Sequence, residues 1–453
     1  MLTPPLTLDR FAVELHAFAA GITGPERAAA RRCLADALAC AAAGVTVPTH
    51  ARSLAALRGL DGDRGSAAVW FTGTRAGPLT AAYLNSVAVS AHDLDDGHRG
   101  AMGHPGGAVI PAVLAELELA GSTVDPLDAI VVGYEAALRI AAARDPARFE
   151  RSATGRWASF AAAAVSCFLH GDGTDTLGHA LAHAGSLAPQ LSPPDPRAVD
   201  GLKEGTPWAV LAGLVAARLA RAGIPGPTYL LDRHTGYGPG GLDRITAGHP
   251  GAILSTYFKR YACCRWIHPV LDCLFQLDAT EPVRPDRIES ITVLTFERSL
   301  RLSNRPAPAS LEEAHYSFPF CVGLALSDGA AAFLPLRGDS LGSRPARALA
   351  RRVTLRTDAR HDAAFPARTP ATVQIRTGQG LRELSVPTAY GDPGRPFPDA
   401  VLRQKHRRLV EPRAPALVEP IARLLDAGAP FDLGELVDAI ARPATTPDPV
   451  EDR

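Results

Sequence analysis

Residues 24–43 have the sequence GPERAAARRCLADALACAAA, and this stretch indicates the fold class more clearly than any other. Pro25 suits the first turn of a helix, where the missing N–H of proline costs no hydrogen bond. One side of the predicted helix is apolar, at positions that recur with helical spacing: Cys33, Leu34, Ala37, Leu38 and Ala41. Because alanine favours helices and has a small side chain, the stretch predicts a helix packed closely against other helices.

Helical patterns continue to about residue 260. Asp125-Pro126 is typical of a helix start, and another helix is predicted from Trp208 to Ala222, before the breaker Pro225-Gly226-Pro227. Residues 160–165 are nearly all small, so we expect their backbone to lie close to a neighbouring segment. This part of the chain is therefore predicted to be helical.

The pattern changes near residue 270. Residues 287–296 have the composition of a β-strand, with alternating apolar positions. The segments 372–376 and 381–386 flank residues 377–380 and predict a β-hairpin with a four-residue loop. Helical patterns return after about residue 400.

The predicted fold is mainly α with an α+β lid. A large all-helical domain is built from both chain ends, residues 1–265 and 399–441, and a smaller α+β domain spans residues 266–398. Residues 442–453 are rich in Pro, Thr and Asp and are predicted to be a disordered tail.

The composition argues against several classes of function. The 453 residues include 47 Lys and Arg against 47 Asp and Glu, and this zero net charge disfavours a nucleic-acid binder. Hydrophobic residues make up 46% and charged residues 21%, as in a globular protein with a sizeable core. Since GxGxxG after a strand, GxxxxGKS/T and GxSxG are all missing, nucleotide cofactors and serine-hydrolase chemistry are disfavoured.

The sequence predicts a soluble, cytoplasmic protein. No apolar run reaches the roughly 18–20 residues that a membrane span needs. The N-terminus lacks a basic segment followed by an apolar one, so no secretory signal is expected. The seven cysteines show neither CxxC nor zinc-ligand spacing, which favours a reducing compartment and no metal site. Cys263 and Cys264 are interpreted as buried small side chains rather than nucleophiles.

The densest group of ionisable residues lies in residues 91–107, AHDLDDGHRGAMGHPGG. Three imidazoles and three carboxylates fall within thirteen positions: His92, His98, His104, Asp93, Asp95 and Asp96. Such neighbours shift one another's pKa and exchange protons. The glycines predict a loop, and Gly106-Gly107 come before a helix whose first N–H groups suit a carboxylate or phosphate. A solvated acidic loop that caps helices, or a hard-cation site made by the three aspartates, is an alternative.

Two later segments add cations. Lys203-Glu204-Gly205 comes just before the helix predicted from Trp208, where a lone lysine is usually a surface charge. Residues 258–269, FKRYACCRWIHP, interleave three cations and an imidazole with aromatic residues. Cations in a dry aromatic wall bind anions strongly, although an interdomain linker with amphipathic packing would show the same pattern.

In this order, the segments resemble the MmgE/PrpD family, which includes 2-methylcitrate dehydratase, cis-aconitate decarboxylase and iminodisuccinate epimerase. The resemblance runs from about residue 10 to residue 440. It is carried by DLDDGHR at 93–99 and GHPG at 103–106, GYE at 133–135, KEG at 203–205 with 213–227, FKRY at 258–261 with CRWIHP at 264–269, YSFPF at 316–320, SDG at 327–329, and Tyr390-Gly391 with Lys405.

The resemblance implies a homodimer that uses no cofactor and has its site where a helical domain meets a smaller lid. It implies proton transfer at a carbon next to a carboxylate, followed by loss of water, loss of carbon dioxide or reprotonation. The family's site residues fall on Asp93, His104, Lys203 and Lys259, with a one-residue gap needed at Lys203.

Three positions depart from the family pattern: Gly97, Ser152 and Phe320 stand where relatives carry Thr, His and Tyr. An imidazole and a phenol are each worth roughly 10²–10⁴ in rate when they carry protons. His98 and Arg99 are additional ionisable groups in the same loop.

We therefore expect a cofactor-independent lyase or isomerase that acts on a small carboxylate-bearing molecule, without a nucleic-acid or membrane partner. His104 is predicted to be the general base or acid, with Asp93 and His98 as further proton carriers. Cations are predicted to bind carboxylates and stabilise developing charge. Lys203 and Lys259 are the other predicted catalytic residues, and the predicted substrate-binding residues are Arg265, His268, Arg99, Gly106 and Ser152. The alternatives are a specialised biosynthetic isomerase or cyclase, and a non-catalytic dimeric homologue that binds carboxylates.

Overall fold

The computed structural model describes residues 7–62, 65–121, 123–145, 153–189, 201–231, 236–237, 250–430 and 432–444, apart from the side chain of residue 118. Within these residues the protein is mainly helical with a smaller α+β part, so the predicted fold class is confirmed. The domain boundaries at residues 265 and 398 stay a prediction.

Helices dominate the first half of the chain. They are α1 (Leu8–Ala19), α2 (Gly24–Gly44), α3 (Pro48–Ala56), α4 (Pro78–Ser90), α5 (Gly106–Ala120), α6 (Pro126–Ala142), α7 (Ala158–Leu169), α8 (Thr174–Leu187) and α9 (Thr206–Arg221). The helices predicted to begin at Pro25, at Pro126 and near Trp208 are therefore present.

Local sequence explains where these helices begin and how closely they pack. At the start of α2, the side chains of Thr23 and Glu26 form a capping box. Between α7 and α9 the backbones approach so closely that a Cβ on Gly213 would overlap the carbonyl oxygen of Ser159. The run of small residues at 160–165 lies in α7 and permits this approach.

Residues 266–398 contain the main sheet and five α-helices. The strands among the described residues are β1 (Ala67–Val69), β2 (Thr74–Ala76), β3 (Gly97–His98), β4 (Thr256–Tyr257), β5 (Ile288–Thr295), β6 (Val353–Thr357), β7 (Ala371–Thr377) and β8 (Gly380–Val386). The helices are α10 (His268–Thr280), α11 (Leu311–His315), α12 (Phe318–Asp328), α13 (Arg344–Ala350) and α14 (Ala359–Ala364).

The four-stranded sheet has the order β6-β5-β7-β8. Its first pair is parallel and the other two are antiparallel. Helix α10 packs against β7 and β8, and the alternating apolar side chains of Ile291 and Val293 are fully buried. The sheet is thereby covered by helices, as in other α+β structures.

The hairpin loop is shorter than predicted. Thr377 pairs with Gly380 in the β7–β8 register, so only Gly378 and Gln379 connect the strands. Gly380 has a φ of 131°, which a residue with a side chain rarely adopts. The four-residue loop was wrong because Thr377 and Gly380 are part of the ladder.

The chain returns to the helical part through α15 (Asp399–Val410), α16 (Val418–Arg423) and α17 (Leu433–Ile440). Helix α15 packs on α2, and the Lys405 ammonium donates to Asp36 Oδ1 at 2.5 Å and to the carbonyl of Leu94 at 2.8 Å. Of the predicted disordered tail, residues 445–453 lie outside the described residues.

No single helix among the described residues is both long enough and apolar enough to cross a lipid bilayer. Helices α2 and α3 together would pass by length and composition, but they meet at a bend of 88°.

Candidate active site

A cavity of about 460 Å³ lies between the helical part and the α+β part. One wall comes from the ends of α4 and α9 with the loop before α5, and the other comes from residues 264–266, 298–303 and 312–316. Of the predicted site residues, the cavity is lined by Asp93, His98, Arg99, His104, Lys203 and Arg265. Four segments that are distant in sequence thus supply one concave site.

The loop between α4 and α5 is folded inwards rather than solvated. Strand β3 pairs with β4, and His98 also bridges to Gly103, which closes the loop on itself. Asp93, Asp95 and Asp96 are 2%, 0% and 2% exposed. The alternative of a solvated acidic loop is therefore wrong: the loop is held under the α+β part, and its aspartates have buried partners.

Asp93 is the centre of the charged cluster. Its Oδ1 atom accepts from the ammonium groups of Lys203 at 2.6 Å and of Lys259 at 2.5 Å. Burial favours the neutral acid, but these two cations outweigh it and hold the pKa of Asp93 well below its usual value. Asp93 also has a φ of 49°, a conformation that costs a residue with a side chain of order 1–3 kcal/mol.

Lys203 bridges two carboxylates. Its Nζ atom lies 2.6 Å from Asp93 Oδ1 and 2.9 Å from Asp95 Oδ1. Burial alone would lower its pKa, but the two carboxylates raise it, so the side chain is an ammonium. Donor atoms of Asp93, Asp95 and His104 lie within 4.8 Å of one another and have the chemistry to hold a metal ion. In this arrangement the Lys203 ammonium already supplies a positive charge next to the carboxylates of Asp93 and Asp95.

His104 is a neutral imidazole with one defined tautomer. Its Nδ1 lies 2.7 Å from the carbonyl oxygen of Asp96, an acceptor only, so Nδ1 carries the hydrogen. Nε2, which lies 3.6 Å from Asp93 Oδ1, is therefore the basic nitrogen. Burial and the charge of Lys203 lower the pKa of His104, although neighbouring carboxylates oppose the shift. We take the neutral form as the resting state because burial disfavours the cation.

The helix N-terminus predicted to bind a substrate carboxylate already holds an internal one. The N–H of Gly106 donates to Asp96 Oδ1 at 2.9 Å, and the Tyr134 hydroxyl donates to Asp96 Oδ2. Burial raises the pKa of Asp96 to about 7 despite these hydrogen bonds. This occupation leaves Gly106 as a support for the loop rather than an open substrate contact.

Thr154 and Glu204 connect the His104 loop with the Lys203 segment. The His104 N–H donates to Thr154 Oγ1 at 3.1 Å. Glu204 accepts from the Thr154 hydroxyl at 2.6 Å and from the Thr154 N–H at 2.7 Å. Glu204 has a φ of 54°, and it directly follows Lys203. Sequence analysis named Glu204 only as part of the KEG segment and did not predict its contact with Thr154.

Arg265 and Arg99 share a buried carboxylate. Arg265 lies 2.6 Å from Asp392, and Arg99 forms an ion pair with the same side chain. The Arg265 guanidinium stacks 4.6 Å from the centre of the Tyr257 ring. Both arginines line the cavity, but their charge is largely balanced within the protein.

His268 and Lys259 are placed behind the cavity wall rather than along it. His268 Nδ1 lies 3.0 Å from Arg265, and burial together with the Arg265 charge lowers its pKa well below the usual value. Lys259 is fully buried, with Asp93 Oδ1 as its ionic partner. The structure therefore gives both residues a supporting position.

Of the remaining residues named from the sequence, His98 lies at the cavity, Ser152 is not described, and the two adjacent cysteines are uncharged. His98 lines the cavity and accepts the Ala101 N–H at Nδ1, and burial with the nearby Arg99 charge lowers its pKa to about 4. Ser152 lies outside the described residues. Cys263 and Cys264 have pKa values raised by burial, so both are neutral thiols.

Two departures from the family pattern have local explanations. A Cβ on Gly97 would overlap the Tyr257 ring, so a larger residue would require this ring to move. Phe320 is fully buried in the core, while Tyr316, four residues earlier, lines the cavity. A phenol is therefore present at the cavity at position 316, whereas position 320 lies in the core.

His315 is a further functional candidate that sequence analysis missed. It lines the cavity, is 3% exposed, and its Nε2 atom has no hydrogen-bond partner among the described residues. Burial lowers its pKa to about 3, so the imidazole is neutral. The only available signal was its position directly before the YSFPF segment.

Comparison with known proteins places this architecture in one family. The sequence profile of the MmgE/PrpD N-terminal domain matches residues 17–243, and that of the MmgE/PrpD C-terminal domain matches residues 261–425. The chain belongs to the MmgE/PrpD family. The family predicted from the sequence is therefore confirmed.

Several curated proteins that are similar to this chain are named cis-aconitate decarboxylase. The chain is 28% identical over 280 residues to cis-aconitate decarboxylase of Aspergillus terreus and 30% identical over 290 residues to that of Homo sapiens, with 56% of each chain covered in both cases. For cis-aconitate decarboxylase of Mus musculus, identity is 28% over 364 residues, or 73% of this chain and 71% of that one. The matches span about half the length of the first two relatives.

Proposed function

We propose that this MmgE/PrpD protein is a lyase or isomerase that removes a proton from a carbon next to a carboxylate of an organic substrate. One observation carries the proposal: the neutral His104, the Asp93 carboxylate and the Lys203 ammonium meet at one end of a single cavity. The names of the relatives support a carboxylate substrate. The homodimer, the cofactor independence and the cytoplasmic location stay predictions.

In the proposed first step His104 is the general base. Its Nδ1–H is fixed to the Asp96 carbonyl, so Nε2 has the lone pair that takes the proton. A positioned imidazole of this kind contributes typically 10²–10⁴-fold to the rate. Asp93, 3.6 Å from Nε2, would stabilise the imidazolium that forms.

The negative charge left on the substrate requires a cation at the cavity surface. Lys203 lines the cavity and is an ammonium, so we assign it the stabilisation of the enediolate-like charge. Lys259 would act differently from the original prediction. Because it is buried behind Asp93, we propose that it is a positioning residue that holds this carboxylate in place.

A second proton carrier determines the outcome of the reaction. Burial raises the pKa of Tyr316 well above its usual value, so its hydroxyl keeps a proton to donate. His98 and His315 line the same cavity as neutral imidazoles. Loss of water and reprotonation share the first step, whereas loss of carbon dioxide breaks a C–C bond and leaves a carbanion that takes a proton from one of these acids.

The test is proton exchange in D₂O. We would incubate the full chain with cis-aconitate and a panel of saturated and unsaturated carboxylates, and follow the α-C–H signals by NMR and the products by mass spectrometry. We expect exchange with at least one compound, and a loss of roughly 10²–10⁴-fold in His104→Gln. The matched control is His16→Gln, an exposed residue of α1, with an unchanged rate.

Circular dichroism must show that His104→Gln is folded. If the folded variant exchanges protons at the wild-type rate, or if wild-type protein exchanges none in the panel, the proposed first step is wrong.

A further inference from the structure

The cavity is larger and less uniform in chemistry than a site for a small polyanion would need. At about 460 Å³ it falls in the range of roughly 300–1,000 Å³ that holds drug-sized ligands. One group of ionisable side chains, the inner end, lies around Asp93 and Lys203. Aromatic and aliphatic side chains also line the cavity, on both of its walls.

The inner end has little positive charge to spare. Its four cations are paired with buried carboxylates: Lys203 with Asp93 and Asp95, Lys259 with Asp93, and Arg99 and Arg265 with Asp392. Four cations thus face three of these anions, and Glu204, which also lines the cavity, is a fourth negative side chain. Buried charges need partners, so this end has no surplus of positive charge with which to hold three substrate carboxylates.

The mouth does not supply the missing charge. Arg298 and Arg301 line it, but Glu312 lines it as well, and Arg301 pairs with Glu297 at 3.6 Å. The Arg301 pair is exposed on both sides, and exposed ion pairs contribute little to binding or stability.

The apolar part of the lining includes aromatic side chains that their neighbours hold in place. Trp266 contacts the rings of Phe296 and Phe365 edge-on, with ring centres at 5.4 and 5.8 Å, and these two phenylalanine rings stack on each other at 4.4 Å. Trp208, on α9, contacts the Tyr83 ring edge-on at 5.0 Å and remains 45% exposed. Both tryptophans line the cavity, as do the aliphatic side chains Val47, Val87 and Leu302. Aromatic surfaces of this kind stack on rings or cover alkyl chains.

We infer that the substrate has a single carboxylate on an apolar, preferably aromatic, body. The carboxylate is placed at Lys203 and His104, and the apolar body lies along Trp208 and Trp266. A tricarboxylate such as cis-aconitate is a poor match for this charge balance. The inference rests on the proposed function for the orientation of the substrate, and it assigns a substrate class that the names of the relatives do not give.

The test compares two probe anions by calorimetric titration: 4-phenylbutanoate, with one carboxylate and a phenyl ring, and cis-aconitate, with three carboxylates. Wild-type protein should bind phenylbutanoate at least tenfold more tightly. Trp208→Ala should weaken that binding about five- to tenfold, as expected for a lost aromatic contact. The same variant should leave the affinity for cis-aconitate unchanged. Ile224→Ala, which removes an exposed side chain outside the cavity, is the control.

The outcomes separate this inference from the proposed function. Tighter binding of cis-aconitate, equal weakening of both anions by Trp208→Ala, or no binding of phenylbutanoate would overturn the substrate class. In the folded His104→Gln variant the preference for phenylbutanoate should remain while exchange is lost. If wild-type protein prefers phenylbutanoate but exchanges protons with no compound, the inferred substrate class would stand and the proposed proton abstraction would be wrong.

Discussion

Replacing Asp93 by asparagine tests the charged cluster most directly. The substitution keeps the shape of the side chain but removes the negative charge that Lys259 contacts at 2.5 Å and Lys203 at 2.6 Å. Lys203 retains Asp95 at 2.9 Å, whereas Lys259 is fully buried and loses its ionic partner. Breaking a buried pair by removing one partner costs about 3–5 kcal/mol. We therefore expect Asp93→Asn to lower the free energy of unfolding at pH 7 by about that amount.

The pH dependence of this loss has a defined sign. The pKa of Asp93 is held well below its usual value, because the ammonium groups outweigh burial. A carboxyl group with a lowered pKa stabilises the fold above its unfolded pKa, and this contribution is lost as pH falls through the folded pKa. The difference between wild type and Asp93→Asn should be constant from pH 6 to 8 and shrink below about pH 4.

Urea titrations followed by tryptophan fluorescence would measure the free energies. The double variant Asp93→Asn/Lys259→Met removes both buried charges and should be more stable than Asp93→Asn alone. Asp286→Asn, in an exposed pair with Arg284, should show no measurable change. If Asp93→Asn is as stable as wild type, or if the double variant is no more stable than the single one, our account of the buried cluster is refuted.

Two further predictions concern the site. Burial and Lys203 lower the pKa of His104. We therefore expect kcat/KM for any exchanging substrate to be constant from pH 8 to about 6.5 and to fall only at lower pH. A fall in kcat/KM centred above pH 7.5 would contradict the role of His104 as general base. Gly97→Thr, which restores the residue of relatives, should displace Tyr257 and destabilise the fold by about 1–3 kcal/mol through overpacking. Thermal unfolding checks this against Gly338→Thr, where the added side chain meets open space, and equal midpoints would contradict it.

Much of the fold could be predicted because its signals are local. Pro25, Asp125-Pro126 and the apolar spacing in residues 24–43 predict helices that the structure shows within a few residues. The strand at 288–295 follows from its alternating pattern. The hairpin loop was predicted less well, because strand ends depend on pairing across the ladder.

The candidate site was predictable only where chemistry is concentrated in one segment. The loop around Asp93 and His104 is evident in the sequence, and Lys203 joins it in space. His315 lies directly before the YSFPF segment and Tyr316 begins it, but neither was predicted as a site residue, because a single imidazole and phenol in an apolar segment are common and only their direction towards the cavity distinguishes them.

The sequence by itself determined the helical class, the family and which short segments contain reactive groups, because helix spacing, caps and clustered ionisable residues are local properties. Only the tertiary structure decided which groups are available. It buried Lys259 behind Asp93, filled the helix N-terminus at Gly106 with Asp96, and exposed Tyr316 to the cavity. The physical reason is that burial and charge pairing depend on contacts between segments that are distant along the chain.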